Sequence, residues 1–459
     1  MKMAISFVAI LFFLLTIGVG RFCMADEHGC GWRSGVARVD ITPGEPLWMA
    51  GYGSRDHESD GTLCPIFLKA LALQDAAGSK AVLITSDLLG FPKEMSDRIR
   101  SGIKERLWLE HAQIILSSSH THSGPVLGKS LWSIYPLNEA QQKKVDAYSA
   151  KLEDLAVECA VKAFAAMKPA RLFSGNGVAR FAVNRRNNTE ATLLDMHEFK
   201  GPVDHAVPVL KVVDEAGVLI AVAFGYACHA TTLCEYQWCG DYPGFAQVEL
   251  ETAHPGVTAM FFAGCGADQN PLPRRTVPLA RQYGRELAAA VERMLEEPMN
   301  ELAASLKTEY VETELALAVP PTRERLIAVA EKADVFAKRA IEDFLKQLDE
   351  GKPLRTSYPY PIQMWQVGGQ IIVVLGGEVV VDYAIFLKQM FGREAFVFGY
   401  SNDVMGYIPS LRVLHEGGYE GATAQMYYGM PAPWSEDVET QILSTARDMA
   451  SKIGIPVKA

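Results

Sequence analysis

The chain has no run of five or more basic residues, and its 44 Lys and Arg are outnumbered by 54 Asp and Glu, for a formal net charge of −10. Nucleic-acid binding rests on cationic patches, so this balance argues against a nucleic-acid partner. Beyond Val19 no apolar stretch approaches the ~20 residues that span a bilayer, so the mature chain is expected to carry no transmembrane segment. There is no internal repeat and no low-complexity linker. Cysteine is sparse, at 8 of 459 residues, and no CxxC pair marks a structural zinc site. What remains is an ordinary globular composition, 49% hydrophobic and 21% charged. The length suits one large domain or two lobes.

The first residues are the most informative positive feature. Lys2 supplies a small basic start, Ala4 to Val19 is almost wholly apolar, and Cys23-Met24-Ala25 offers small residues for a signal peptidase. We read residues 1–25 as a signal peptide cut before Asp26, and the protein as exported, periplasmic or extracellular. Residues 26–459 are then the functional domain. Glu296 to Glu301 is the best candidate boundary for two lobes, 26–300 and 301–459. Seven cysteines follow the cut: Cys30, Cys64, Cys159, Cys228, Cys234, Cys239 and Cys265. Export permits disulfides, but an odd count leaves at least one thiol free. Cys228, Cys234 and Cys239 read as buried thiols or one local bridge. Asn187-Asn188-Thr189 is a glycosylation sequon.

Short β-branched runs alternate with longer helical patterns, which predicts an α/β protein. Strands are expected at Phe67 to Gln74, Ala81 to Asp87, Gln113 to Ser118, Val207 to Val213, Val218 to Tyr226, Val257 to Ala263, Ile371 to Leu375 and Ala395 to Gly399. Helices are expected at Asn138 to Met167, Leu279 to Glu297, Thr322 to Asp349 and Glu436 to Ile453.

Five of these strands run into a polar group at their C-terminal ends. The first leads to Ser119-His120-Thr121-His122, the second to His229 and the third to Gly264-Cys265-Gly266-Ala267-Asp268. The last two lead to Glu378 and to Ser401-Asn402-Asp403. Open α/β sheets bind ligands beyond the carboxyl ends of their strands, so this recurrence points to a site. Two histidines and a carboxylate from separate elements suit a catalytic Zn2+ centre. In an extended segment His120 and His122 face the same way, and either or both qualify as ligands. Each residue also has a plain structural reading. His122 fits a hydrogen-bonded role, His229 a satisfied buried histidine, and Glu378 the start of a helix over Val379 to Phe391, where the dipole favours an anion.

Ser119-His120-Thr121-His122-Ser123-Gly124-Pro125 resembles the Thr-His-Thr-His-Ser-Gly-Pro segment of the neutral/alkaline non-lysosomal ceramidase family. Further segments resemble that family in the same order. They are Ser34 to Thr42 with Met49-Ala50-Gly51-Tyr52, Asn184-Arg185, Cys228-His229-Ala230-Thr231 and Gly240-Asp241-Tyr242-Pro243-Gly244. Gly377-Glu378, Ser401-Asn402-Asp403, Gly406-Tyr407 and Tyr419-Glu420-Gly421 complete the series. The resemblance implies mixed β-sheets flanked by helices, and zinc held by His120, His229, Glu378 and Tyr407. It implies His122 as a catalytic or supporting histidine, and Arg185 and Tyr419 as stabilisers of the substrate carbonyl. Two departures stand out. Gln269 lies opposite the family's serine, and Gln cannot attack a carbonyl, so metal-activated water would have to act directly. The sequence also ends at Ala459, without the family's immunoglobulin-like C-terminal domain.

The expected function is zinc-dependent hydrolysis of an N-acyl amide or ester bond in a small-molecule or lipid-like substrate. His122 would be the general acid/base, with Asp268 orienting a histidine or the water. Met426-Tyr427-Tyr428 and Pro431-Ala432-Pro433-Trp434 are candidates to line an apolar cleft. Two other readings are a metallophosphatase or sulfatase-like hydrolase using Asp87, Asp241 and Asp403, and an inactive zinc- or ligand-binding protein on the same scaffold.

Overall fold

A computed structural model describes residues 31–195 and 198–458 of the chain. The expected signal peptide and Cys30 lie outside the described residues. The architecture follows from strands whose two faces are both apolar. In strand Phe67–Gln74, Leu71 and Leu73 point to one side, and Leu68, Ala70 and Ala72 to the other. Strand Lys80–Ser86 splits likewise, with Ala81 and Leu83 opposite Val82 and Ile84. Side chains alternate along a strand, so such sequences need cover on both faces.

That cover creates four layers. A nine-stranded mixed sheet runs in the order Thr258–Ala263, Leu219–Tyr226, Ala206–Asp214, Lys168–Val178, Trp32–Asp40, Phe67–Gln74, Lys80–Ser86 and Ile114–Ser118, with Asn300–Leu302 added beside Lys168–Val178. Only its two end pairs are parallel. A four-stranded sheet, Leu306–Ala316, Ser357–Val367, Gln370–Leu375 and Phe396–Phe398, packs against one face. Leu71, Leu83, Ile115 and Phe262 meet Trp365, Ile372, Val374 and Phe398 there, and the Phe262 and Phe398 rings stack 3.7 Å apart. Helices Lys93–Leu107, Glu139–Ala165, Asp241–Ala253 and Val277–Glu296 cover the large sheet's outer face. Helices Val381–Phe391 and Val438–Lys452 cover the small sheet's outer face. The apolar core between the sheets draws on residues from both sides of the expected lobe boundary. Among the described residues no helix is long and apolar enough to cross a membrane.

The two sheets are stitched together at the carboxyl ends of their parallel strands. Gly399 N–H donates to the Ala263 carbonyl at 2.9 Å, and Asn402 N–H donates to the Leu116 carbonyl. A Cβ at Gly399 would lie 2.9 Å from the Gly264 carbonyl oxygen, so only glycine permits this approach. Ser401 and Asn402 are therefore structural: Ser401 Oγ reaches Ser117 Oγ, and Asn402 Oδ1 accepts from Leu116 N–H.

Two expectations change. The continuous helix over Thr322 to Asp349 is instead Arg323–Ala330 and Val335–Asp349. Asp334 starts the second helix by accepting from Phe336 and Ala337 N–H at 2.9 and 2.8 Å, a capping strength that outweighs the helical periodicity. Among the described residues all six cysteines are free, so no local bridge forms, and Cys234 is exposed while Cys228 and Cys239 are buried.

Asp403 makes a testable contribution. Burial raises its carboxyl to about 7, against the lowering effect of a hydrogen bond from Tyr358. The folded protein thus holds a proton there that the unfolded chain releases near pH 4. Stability should fall as pH rises from about 4 to about 7. Asp403→Asn should abolish that component, gaining up to about 4 kcal/mol over the parent above pH ~7. Urea unfolding across this range checks it; parallel pH profiles for the two proteins would contradict it.

Candidate metal centre

The polar residues that the strands deliver to this stitched edge converge. His120 follows strand Ile114–Ser118 and takes φ +58°, a left-handed conformation costing on the order of 1 kcal/mol for a non-glycine. The segment is therefore not extended, so simple alternation is not what brings His120 and His122 together. Their Nε2 atoms nevertheless lie 3.3 Å apart. His229 follows strand Leu219–Tyr226, and Glu378 opens a two-residue strand paired in parallel with Tyr407–Ile408, Glu378 directly opposite Tyr407.

The imidazoles of His120, His122 and His229 offer one ring nitrogen each, all within 4.8 Å of one another. Glu378 Oε2 stands 3.2 Å from His120 Nε2 and 3.1 Å from His229 Nε2. His120 Nδ1 lies 2.7 Å from the Leu89 carbonyl and His229 Nδ1 2.8 Å from the Gly266 carbonyl. Carbonyls only accept, so both Nδ1 atoms carry the proton and both Nε2 lone pairs face the cluster, as metal-ligating histidines are usually held. Glu378, His120 and His229 are almost entirely enclosed, while His122 is partly exposed with its Nδ1 buried and without a partner.

The electrostatics suit a cation. Burial lowers His229 to about 4, helped by Arg185, and burial likewise holds His122 well below its ordinary value. For Glu378, burial acts upward, but positive charge where His120 and His229 face it outweighs burial and holds the carboxyl well below its ordinary range. Neutral imidazoles and an ionised carboxylate are a zinc donor set.

Around them sits a second layer. Arg185 Nη2 donates to the Tyr407 hydroxyl at 3.1 Å, its Nη1 lies 3.5 Å from His229 Nε2, and its Nε donates to Glu420 at 2.7 Å. Burial would lower the Arg185 guanidinium, but Tyr407 and Glu420 outweigh it and raise it. Tyr419 is half-exposed and its ring lies 5.2 Å from that of Tyr407. Gly51 packs on His122: a Cβ there would lie 2.4 Å from the ring, and its φ is +99°. Asp268 does not reach the histidine side chains. Its carboxylate accepts from Asn184 Nδ2 and Val381 N–H, and its carbonyl accepts from Arg185 N–H at 2.8 Å. It positions the Arg185 segment. Gln269, fully buried, donates to the Ala227 and Cys265 carbonyls and accepts from Asp204 N–H.

Three further residues, none of them assigned to the centre from the sequence, complete it. Tyr428 donates a short hydrogen bond to Glu378 Oε1. Tyr400 lays its ring 4.3 Å from that of His120. Glu420 ties Arg185 and Arg186 together. The carboxylates of the phosphatase-like reading do not join: Asp87 accepts from Phe67 N–H and Gln247, Asp241 from Leu233 N–H, and Asp403 from Tyr358. Pro431 to Trp434 lines neither cavity; Trp434 is buried and donates to the Tyr407 carbonyl.

Two cavities meet at the centre, sharing Gly51, His122, Tyr407 and Tyr419. One, of about 240 Å³, is walled by Leu89, Leu131, Ile134, Phe336, Tyr427 and Tyr428. The other, of about 770 Å³, opens past Arg185, Arg186, Asn270 and Arg274. Among the described residues no serine or cysteine lines either.

The sequence model for neutral/alkaline non-lysosomal ceramidase, N-terminal, matches residues 32–269, more than half of the chain. The chain belongs to this ceramidase family. The matched region carries His120, His122, Arg185, His229 and Asp268, while Glu378, Tyr407 and Tyr419 lie beyond it. Neutral ceramidase A of Dictyostelium discoideum is 24% identical over 284 residues, 57% of this chain and 38% of that protein. Neutral ceramidase B of the same organism is 25% identical over 206 residues, 41% of this chain and 27% of that protein. The alignments thus span less than half of either ceramidase. The crystal structure of neutral ceramidase from Pseudomonas aeruginosa superposes with a TM-score of 0.72 at 20% identity, covering 94% of this chain and 76% of that one. A ceramidase complexed with C2 gives 0.72 at 19% identity, covering 94% and 77%. The mixed α/β fold is that of the neutral ceramidases.

Proposed function

We propose that this member of the ceramidase family is a zinc-dependent hydrolase of N-acyl amide bonds, exported by its N-terminal leader. One observation carries the reading: two buried imidazoles, each tied by Nδ1 to a backbone carbonyl, present Nε2 to the same carboxylate oxygen of Glu378. Membership of the family supports the hydrolase class, and the donor chemistry supports zinc.

His120, His229 and Glu378 would hold the metal, with Tyr407 as the fourth protein ligand. Zinc would supply Lewis acidity there, lowering the pKa of a water to about 7 and polarising a carbonyl. His122, kept neutral by burial, accepts the proton lost by the attacking water and returns it to the departing amine. The C–O bond forms first, placing negative charge on the carbonyl oxygen, and the C–N bond then breaks, leaving a carboxylic acid and an amine. Arg185 and Tyr419 face the place where negative charge develops on the carbonyl oxygen and donate hydrogen bonds to it. With Gln269 committed to backbone groups and no serine at the cavities, no acyl-enzyme is needed.

Metal analysis combined with a panel of N-acyl amides and esters tests this on the parent and His120→Ala. We expect one zinc per chain and amide cleavage in the parent, and loss of both in the variant. Stoichiometric zinc without cleavage of any amide or ester would make the chain a binding protein. Activity undiminished in His120→Ala would remove the site.

A further inference from the structure

We propose that Arg55 is a positioning residue that fixes the imidazole of His122 for proton transfer. The inference deepens the hydrolase reading and rests on the role given there to His122. It starts from how weakly that ring is tethered. His122 Nδ1 is buried without a partner, and its Nε2 faces His120 Nε2, whose lone pair the proposed centre gives to the metal. The imidazole is therefore held by what packs around it. Gly51 lies against the ring so closely that a Cβ there would come within 2.4 Å, and the Tyr52 ring stands 4.7 Å away, tilted by 55°.

Arg55 fastens both parts of this packing. Its Nη1 donates to the Ala50 carbonyl at 2.6 Å and to the His122 carbonyl at 2.9 Å, so one nitrogen joins the segment carrying Gly51 and Tyr52 to the histidine's own backbone. Nη2 donates to the Glu235 carbonyl at 3.1 Å and anchors the fork to a third segment. The guanidinium also lies 5.0 Å from the centroid of the Tyr52 ring and 5.5 Å from that of Tyr236, within reach of a cation–π contact with each. Arg55 is only 4% exposed, and these three hydrogen bonds all go to carbonyls, none to a carboxylate. A buried cation without an opposite charge is disfavoured, and burial accordingly lowers the guanidinium from its ordinary value. Packing alone would be served better by an apolar side chain. Arg55 lines neither cavity, so any effect on the reaction runs through His122 and not through contact with the substrate.

Arg55→Lys, His122→Ala and the double variant test this, by kinetics on an N-acyl amide with the zinc-loaded full chain, zinc content, and a crystal structure of Arg55→Lys. Lysine keeps the charge, but one ammonium on a flexible stem cannot hold three carbonyls in a fixed fork. We expect zinc to stay at one per chain, kcat to fall about tenfold or more, and KM to stay within about threefold. The His122 ring should be displaced or spread over two conformers, while His120, His229 and Glu378 keep their places. In the His122→Ala background the same change should cost less than about twofold, because a residue that acts through another adds nothing once that one is gone. Arg55→Met, which removes the buried charge at similar volume, should show the same pattern and decides the matter where Arg55→Lys does not fold. Unchanged kcat, an equal loss in both backgrounds, release of zinc, or a His122 ring as well ordered as in the parent overturns this proposal and leaves the hydrolase reading standing. A parent inert towards every amide and ester overturns the hydrolase reading and, with it, the role given to Arg55.

Discussion

Glu378→Gln should leave the protein folded but nearly metal-free, lowering zinc affinity more than about 100-fold and amide hydrolysis by about three orders of magnitude, or ~4 kcal/mol in the barrier. The argument is electrostatic. An imidazole that gives its lone pair to a dication brings no charge to it, and Arg185 brings a positive one close by, so Glu378 supplies the main compensating charge. Glutamine keeps the size and an acceptor for the Tyr428 hydroxyl, so packing is preserved. Its amide is uncharged, and it presents either an oxygen or an N–H towards His120 and His229, where the carboxylate presents an acceptor to both. Metal content after dialysis, zinc titration and melting in chelator give the separate readouts. Full zinc retention with parental turnover would show that the carboxylate is not a ligand.

The parts of the fold that were legible in the sequence are those with one physical cause acting on a short segment. Strand Phe67–Gln74 appears with its expected limits because both faces are buried and its residues are uniformly apolar. Strand Leu306–Ala316 escaped notice because its outer position lets Lys307, Glu309, Glu312 and Glu314 interrupt the pattern. Strand Ser357–Val367 was hidden by Pro359 and Pro361, which lie beyond the stretch paired with Gln370–Leu375, where a missing N–H costs little. At the centre, His120, His229 and Glu378 could be picked out because each follows a predicted strand, whereas Tyr407 was reached only through the family resemblance. The Leu89 and Gly266 carbonyls that set the imidazole tautomers could not, since every residue has a carbonyl and only the folded chain chooses one. The convergence of His120 and His122 depends on the left-handed backbone at His120, which no spacing rule anticipates.

Arg185→Ala should cost about 10²–10³ in kcat, the usual loss for one donor to a developing oxyanion, while zinc content stays at one per chain. Its guanidinium reaches the Tyr407 hydroxyl with one nitrogen and Glu420 with another, and lies near His229 Nε2, so its fork is fixed before substrate arrives. Holding the donor in place beforehand is what turns a hydrogen bond into rate. Arg185→Lys should recover only a small part of the loss, because one ammonium on a flexible stem cannot bridge Tyr407 and Glu420 while also meeting the carbonyl oxygen. The split between kcat and KM discriminates among roles. A donor used chiefly in the transition state moves kcat and leaves KM within a few-fold, whereas a residue that merely supports Tyr407 would release zinc, and one that only binds substrate would raise KM. Unchanged kcat with zinc retained would take Arg185 out of the reaction and leave Tyr419 as the remaining side-chain donor at the mouth of both cavities.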